Sequence, residues 1–105
     1  MVAQINLRLV NHHTGEVREL NKYSGNIFQF VFEEVEERDY EGDWMLLDDD
    51  VVELFLAKGT NLMKKRGYYW DDLIDVYGIE GFLKEITNRA FYVRFGWVME
   101  MMAEW

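Results

Sequence analysis

The chain contains neither cysteine nor proline among its 105 residues. The absence of cysteine excludes a disulfide framework and thiolate chemistry, and it fits a reducing cytosol. About five prolines would be average for this length, so we do not expect a stiff linker between domains. We therefore predict one domain, residues 1–105, without internal repeats.

Long apolar runs and secretion signals are missing as well. No run approaches the roughly 18 apolar residues that indicate a membrane-spanning helix. The first residues, MVAQINLRLVN, lack a basic segment followed by a long apolar run, so no signal peptide is predicted. The expected location is cytoplasmic.

What the chain does have is a hydrophobic content of 50% beside a charged content of 30%, which argues against disorder. Residues 2–10 alternate with the two-residue period of a half-buried strand. Residues 11–15, NHHTG, form a predicted turn, and residues 16–20 return as the second strand of a hairpin. Residues 21–26 are expected to be a loop.

The segment from Ile27 to Arg38 fits two structures. As a helix it places its apolar residues on one side, and Asn26 with Gln29 matches the spacing of a capping box. As a strand it places Phe28, Phe30 and Phe32 on one face, and phenylalanine favours strands. The helix accounts for more residues, and the strand stays open.

Helical spacing dominates the second half. Trp44 to Leu47 is a predicted buried strand, after which residues 48–50 open a helix, with Asp50 and Glu53 at capping-box spacing. Lys64 to Gly67 resembles the end of that helix, and Gly59 is expected to kink or break it.

A shorter helix from Asp71 to Tyr77 should end at Gly78, with helical spacing resuming from Ile79 to Ala90. Residues 91–95 fit a helix or a strand. The apolar tail, residues 97–105, is predicted to be a helix buried on more than one side. The fold class that follows is α+β, with an N-terminal antiparallel hairpin or small sheet packed against several C-terminal helices.

Charge is concentrated in residues 33–50, EEVEERDYEGDWMLLDDD. Ten carboxylates and one arginine give this stretch a net charge of −9, which equals that of the whole chain. Everything outside the stretch therefore sums to zero. A charge run is usually a solvated face, but blocks of like charge are also interaction surfaces.

Such a density of carboxylates can imitate nucleic acid. Carboxylates three or four residues apart on a helix are about 5–6 Å apart, a spacing comparable to that of phosphates along one strand. A pI near 4.6 disfavours direct binding to nucleic acid or anionic membranes, and it favours basic protein surfaces.

A small, cysteine-free acidic domain with EEVEERDYEGDW and LLDDD between aromatic segments resembles the anti-defence inhibitors of phages and mobile elements, namely anti-CRISPR proteins and anti-restriction nucleic-acid mimics. The resemblance is one of general character over the whole chain and includes no motif match. It implies a non-enzymatic inhibitor, in the cytoplasm of a bacterial host, that binds a nuclease or its guide complex through basic channels such as those of Cas9-type effectors.

The candidate partner-binding residues are the carboxylates of the stretch and two aromatic anchors among them. They are Glu33, Glu34, Glu36, Glu37, Asp39, Tyr40, Glu41, Asp43, Trp44, Asp48, Asp49 and Asp50. The alternative is a homo-oligomeric structural or adaptor protein that uses its aromatic and Met-rich tail as the interface. The residues of that interface would be Trp97, Met99, Met101, Met102 and Trp105.

Other chemistries find weaker support. Asp48–Asp50 with Glu53 lacks the spacing of a calcium loop, and the paired His12 and His13 lie in a predicted turn. Ser24 is the only serine and lies in no nucleophile motif, and there is no phosphate-binding loop. Lys64–Arg66 suits a helix end better than a phosphate site. We therefore predict no catalytic residues, no metal and no cofactor.

Overall fold

The computed structural model describes residues 3–66 and 70–104 and confirms the α+β class. Its elements are β1 (Gln4–Asn11), β2 (Val17–Ser24), α1 (Gln29–Glu37), β3 (Met45–Leu46), α2 (Asp49–Arg66), α3 (Trp70–Thr87), α4 (Arg89–Val93) and β4 (Trp97–Glu104). The strands form one antiparallel sheet in the order β2-β1-β4-β3. Predictions that involve Val2, Gly67, Tyr68, Tyr69 or Trp105 lie outside the described residues.

The N-terminal hairpin is confirmed. Alternate residues of its first strand are fully buried against the helices: Ala3, Ile5, Leu7 and Leu9. The predicted loop over residues 21–26 is wrong in its first part, because β2 continues to Ser24 opposite Gln4. The pairing register shifts opposite Leu7, and this irregularity lets the polar segment NKYS remain in the sheet.

The ambiguous segment after β2 is a helix. A 3-10 turn (Asn26–Phe28) leads into α1, and the apolar side is buried as the helical pattern required. Its buried residues are Ile27, Phe28, Phe30, Val31, Phe32 and Val35. The predicted capping box is wrong, because Asn26 lies inside the 3-10 turn and neither helical start has a side-chain cap.

The C-terminal tail is a strand and not the predicted helix. β4 lies between β1 and β3, with Met99, Met101 and Ala103 fully buried on the helix side. Its other face also carries apolar residues, Val98 and Met102, and this hid the two-residue period in the sequence. Met99 and Met101 are in the core, so these two residues of the predicted homodimer interface are buried within the chain itself, while Trp97 and Met102 are half-buried.

The segments on either side of α2 also differ from expectation. Met45 and Leu46 pair with β4, and the Leu47 N–H donates to the Met99 carbonyl at 3.0 Å. Met45 and Leu47 are buried as predicted, whereas Leu46 is exposed. The cap of α2 is Asp48, whose Oδ1 accepts the N–H of Val51 at 2.9 Å, so the predicted pairing of Asp50 with Glu53 is wrong. Residues 89–93 form the short helix α4, which a turn joins to β4.

Both long helices run through glycines that were expected to interrupt them. α2 continues past Gly59, and α3 continues past Gly78 to Thr87. At Gly59 the reason is close packing, because an added Cβ would lie 2.9 Å from Leu83 Cδ1 and 3.2 Å from Ile79 Cγ2. The glycine therefore lets α2 and α3 approach each other closely.

This contact predicts opposite effects for two glycine substitutions. Gly59→Val should lower the free energy of unfolding by about 2–3 kcal/mol, because the branched side chain must displace Leu83 and Ile79. Gly78→Ala should raise it by about 0.5–1 kcal/mol through helix propensity, since its Cβ would lie 3.7 Å from the Phe28 ring, an ordinary contact. Urea unfolding of both variants measures this; equal effects would contradict the packing described.

A partly buried hydrogen bond connects β2 to α3. The Tyr23 hydroxyl donates to Glu85 Oε2 at 3.0 Å, and the same carboxylate accepts the backbone N–H of Asn21 at 3.1 Å. Burial, with a further contribution from the negative charge of Glu85, raises the pKa of Tyr23 to about 12. The neutral phenol is thus favoured in the folded chain.

Stability should consequently fall at alkaline pH. The pKa of Tyr23 in the folded chain exceeds the unfolded value near 10. The contribution of the neutral Tyr23 phenol to the free energy of unfolding is therefore fully present below pH 10 and is lost as pH rises toward 12. Urea unfolding at pH 9 and pH 11 should show a larger loss for the native chain than for Tyr23→Phe. An equal loss in both would contradict this assignment.

Candidate acidic interface

The acidic stretch, residues 33–50, spans most of α1, the turn that follows it, β3 and the start of α2. Nine of its ten carboxylates are exposed, and the exception is Glu34. Glu34 is largely buried and its Oε1 accepts the Nε–H of Arg38 at 2.7 Å. The structure therefore removes Glu34 from the candidate contact residues and leaves the other nine facing solvent.

Arg38 lies among several carboxylates of the acidic stretch. Its hydrogen bond to Glu34 is the largest cause of a raised pKa, and the negative charges of Glu34, Asp48 and Glu37 raise it further. Asp48, ten residues along the chain, is thus close enough to act on the end of α1. One base faces three acids here, so the junction keeps a negative charge.

The turn between these ends is fixed against the sheet. The Gly42 N–H donates to the Ala103 carbonyl at 3.0 Å, which places the turn beside the last residues of β4. Glu104 follows Ala103 and is half-buried there. Sequence reasoning missed this carboxylate, because the tail was predicted to be a helix and not the strand next to the turn.

The helix dipoles divide the stretch into two parts. Asp49 and Asp50 occupy the first turn of α2, where the dipole favours negative charge and Asp48 supplies the cap. Glu36 and Glu37 occupy the last turn of α1, which contains no base and where negative charge is disfavoured. The helix dipoles therefore favour the aspartates of α2 and disfavour Glu36 and Glu37, although Glu37 is attracted to Arg38.

Asp39 also occupies a position that folding does not favour. Its φ is +61°, and the bonds from Asp39 N–H to Glu36 and from Tyr40 N–H to Val35 form a Schellman ending of α1. Glycine is the usual residue at this position, because it adopts positive φ without a steric cost. Three consecutive acids of the stretch, Glu36, Glu37 and Asp39, are therefore placed against the local preference of the backbone.

Glu33 lies apart from these three, in a groove of about 250 Å³ between α1 and α2. The groove is lined by Phe30, Glu33, Lys58, Asn61, Leu62 and Lys65. Two lysines thus share the surroundings of Glu33. Lys64 and Lys65 lie about 20 Å along α2 from Asp50, so this helix end does not neutralise the aspartates.

The two predicted aromatic anchors differ in availability. Tyr40 is 41% exposed in the turn. Trp44 is half-buried, with the Arg8 guanidinium carbon 3.9 Å from its ring centroid, and Arg8 is in turn bonded to Glu100 at 2.7 Å. Tyr40 is the freer contact, while one face of Trp44 is covered by its own chain.

The two adjacent histidines lie in the hairpin turn and not in the acidic stretch. His12 and His13 are exposed, with their Nε2 atoms 3.0 Å apart in the hairpin turn. Within residues 3–66 and 70–104, no three His, Asp or Glu side chains converge as metal ligands. No helix in the same residues has the length and apolar character needed to cross a membrane.

Comparisons with known proteins give no relative. The chain matches no protein-family model, and no curated protein or solved structure is significantly similar to it.

Proposed function

We propose that the chain is a non-enzymatic inhibitor that binds a basic, nucleic-acid-binding surface of a defence nuclease. The contact surface is the end of α1 and the turn after it, with Glu36, Glu37 and Asp39 at its centre. Glu41, Asp43 and Tyr40 extend it along the turn, and Asp48 extends it across Arg38. The cytoplasm of a bacterial cell is the compartment in which such a target is met.

The observation that carries the proposal is the placement of the central carboxylates. Acids at a helix C-terminus each cost the fold roughly 0.3–1 kcal/mol, and an aspartate at positive φ carries a backbone cost that glycine would avoid. Solubility alone would be served by the same charges on any exposed face, without that cost. A concentrated negative surface does serve a cationic partner, because complementary fields speed association and fix its orientation.

The direct test is a panel of purified restriction and RNA-guided nucleases, each assayed on its own DNA. Preincubation of the protein with the enzyme should block cleavage, and preincubation of the enzyme with DNA should protect it if both occupy one cleft. Inhibition should weaken steeply between 50 and 500 mM NaCl, since charge pairs at an exposed surface are screened. Inhibition that survives both DNA preincubation and high salt would contradict an acidic contact in the nucleic-acid cleft.

A further inference from the structure

Beyond the acidic stretch, the chain exposes an apolar cluster on α4 and the turn after it. Phe91 is 59% exposed, Phe95 is 62% exposed, and Val93 between them is exposed as well. The two phenylalanine rings lie 5.2 Å apart, so they form one patch, which we call the α4 cluster (Phe91, Val93 and Phe95). Two large aromatic side chains in water are costly unless a partner covers them.

The cluster lies at the opposite end of the sheet from the acidic turn. Phe95 precedes β4, whereas Gly42 of the acidic turn is bonded to Ala103 at the far end of that strand. The distance along β4 between these points is about 20 Å. The hairpin turn is next to the cluster, because the His12 N–H donates to the Gly96 carbonyl at 3.0 Å.

Charge at this end differs from charge elsewhere. Residues 11–18 and 88–96 contain three arginines and one glutamate, a net charge of +2 excluding histidine, so the rest of the chain carries −11. Arg18 is paired with Glu16, and Arg89 is paired with Asp49 at the start of α2. The Arg89–Asp49 pair and the bond from the Leu47 N–H to the Met99 carbonyl place residues 48–50 toward this end as well. With these three aspartates counted, the end carries −1 and the rest of the chain −8.

We propose that the α4 cluster is a docking surface for a second copy of this chain, packed about a two-fold axis. A protein of net charge −9 repels its own copies everywhere except where its surface is nearly neutral. Two copies joined here bury their phenylalanines together and project their acidic turns in opposite directions. A self-complementary apolar patch of this kind is the usual centre of a two-fold interface.

A second pair of exposed apolar residues, on α3, is less suited to contact another copy of the chain. Ile74 and Tyr77 on α3 are 70% and 66% exposed, so exposure alone would select them first. Residues 71–80, however, contain four acids and no base. Two copies packed there would face each other through this acidic segment, and like charges across an interface disfavour association.

The area of the cluster fits the centre of an interface. Two half-exposed phenylalanines and a valine present roughly 300 Å² of apolar surface, against the roughly 800 Å² per partner of a standard interface. The remaining area must come from a polar rim: Arg94 is exposed between Val93 and Phe95 in the chain, and the exposed His12 and His13 lie beside Gly96. An apolar centre with a polar rim is the common arrangement of protein interfaces.

The experiment is sedimentation velocity on the full chain at 10 and 100 μM, with two double variants. The native chain should sediment at 100 μM as twice its 12.6 kDa mass, and Phe91→Ala/Phe95→Ala should sediment as a monomer. Ile74→Ala/Tyr77→Ala removes a similar exposed apolar area and should remain a dimer. Far-UV circular dichroism checks that each variant is folded.

The dependence of dimerisation on salt concentration separates this proposal from the proposed function. Raising NaCl should strengthen the dimer, since it screens the repulsion of two acidic chains, and should weaken binding to a basic target. A native chain that is monomeric at 100 μM, or a dimer that survives loss of both phenylalanines, would overturn the second-copy assignment. Neither result would touch the acidic surface, whose own test is nuclease inhibition.

Discussion

Glu36→Lys/Glu37→Lys should weaken binding to the basic target at least a hundredfold and, at the same time, make the fold more stable. Each reversal replaces an attraction with a repulsion at the centre of the proposed contact, and a loss of about 1.4 kcal/mol per site already gives that factor. In the isolated chain, lysine at the end of α1 complements the helix dipole, so stability should rise by about 1 kcal/mol in total.

The matched control is Glu19→Lys/Glu80→Lys. Both glutamates are exposed and lie outside the acidic stretch, and the change in net charge is the same, from −9 to −5. If only the overall field mattered, the two double variants would bind equally weakly. We expect the control to keep its affinity within about tenfold, because only long-range attraction is reduced.

The measurements are urea unfolding for stability and half-maximal inhibition of the responding nuclease for binding. Opposite signs of the two effects in Glu36→Lys/Glu37→Lys are the distinguishing result, since a variant that merely misfolds would lose both stability and inhibition. Equal inhibition by the native chain and this variant would refute a contact through the end of α1.

The sequence predicted the hairpin and the buried side of α1 because each shows one clear period. Ala3, Ile5, Leu7 and Leu9 alternate, and Phe28, Val31 and Val35 recur at helical spacing. The prediction for β4 was wrong because Val98 and Met102 lie on its partly exposed face beside Glu100 and Glu104, so apolar residues occupy positions that a two-residue period would leave polar. The predicted helix end at Gly78 was wrong because the sequence alone does not distinguish a glycine inside a helix from one that ends it. Tertiary contacts make that difference.

Composition singled out the acidic stretch, but it did not show how the structure divides that stretch. Ten acids in the stretch were visible in the sequence, yet nothing there separated Glu34, which serves Arg38 internally, from Glu36 and Glu37. That separation needs the end of α1 at Glu37 and the start of α2 at Asp49. Once these boundaries are known, the dipole of α2 explains the aspartates, and the glutamates at the end of α1 become the centre of the proposed contact.

Phe82→Ala should produce the largest loss of stability in the chain, about 4 kcal/mol. Phe82 is fully buried on α3, and its ring centroid lies 5.5 Å from that of Tyr23, 5.6 Å from Phe28 and 6.1 Å from Phe55. It therefore joins β2, the 3-10 turn and α2 at one point. Removing the ring leaves a cavity that none of these elements can fill without moving the others.

The control for this variant is Tyr77→Ala, five residues earlier on the same helix and 66% exposed. It removes an aromatic ring without opening a cavity, so its cost should stay below about 1 kcal/mol in urea unfolding. Phe82→Leu, which keeps most of the volume, should fall between the two. Similar costs for Phe82→Ala and Tyr77→Ala would mean that α3 does not close the core, and the sheet would then have to be stabilised by α1 and α2 alone.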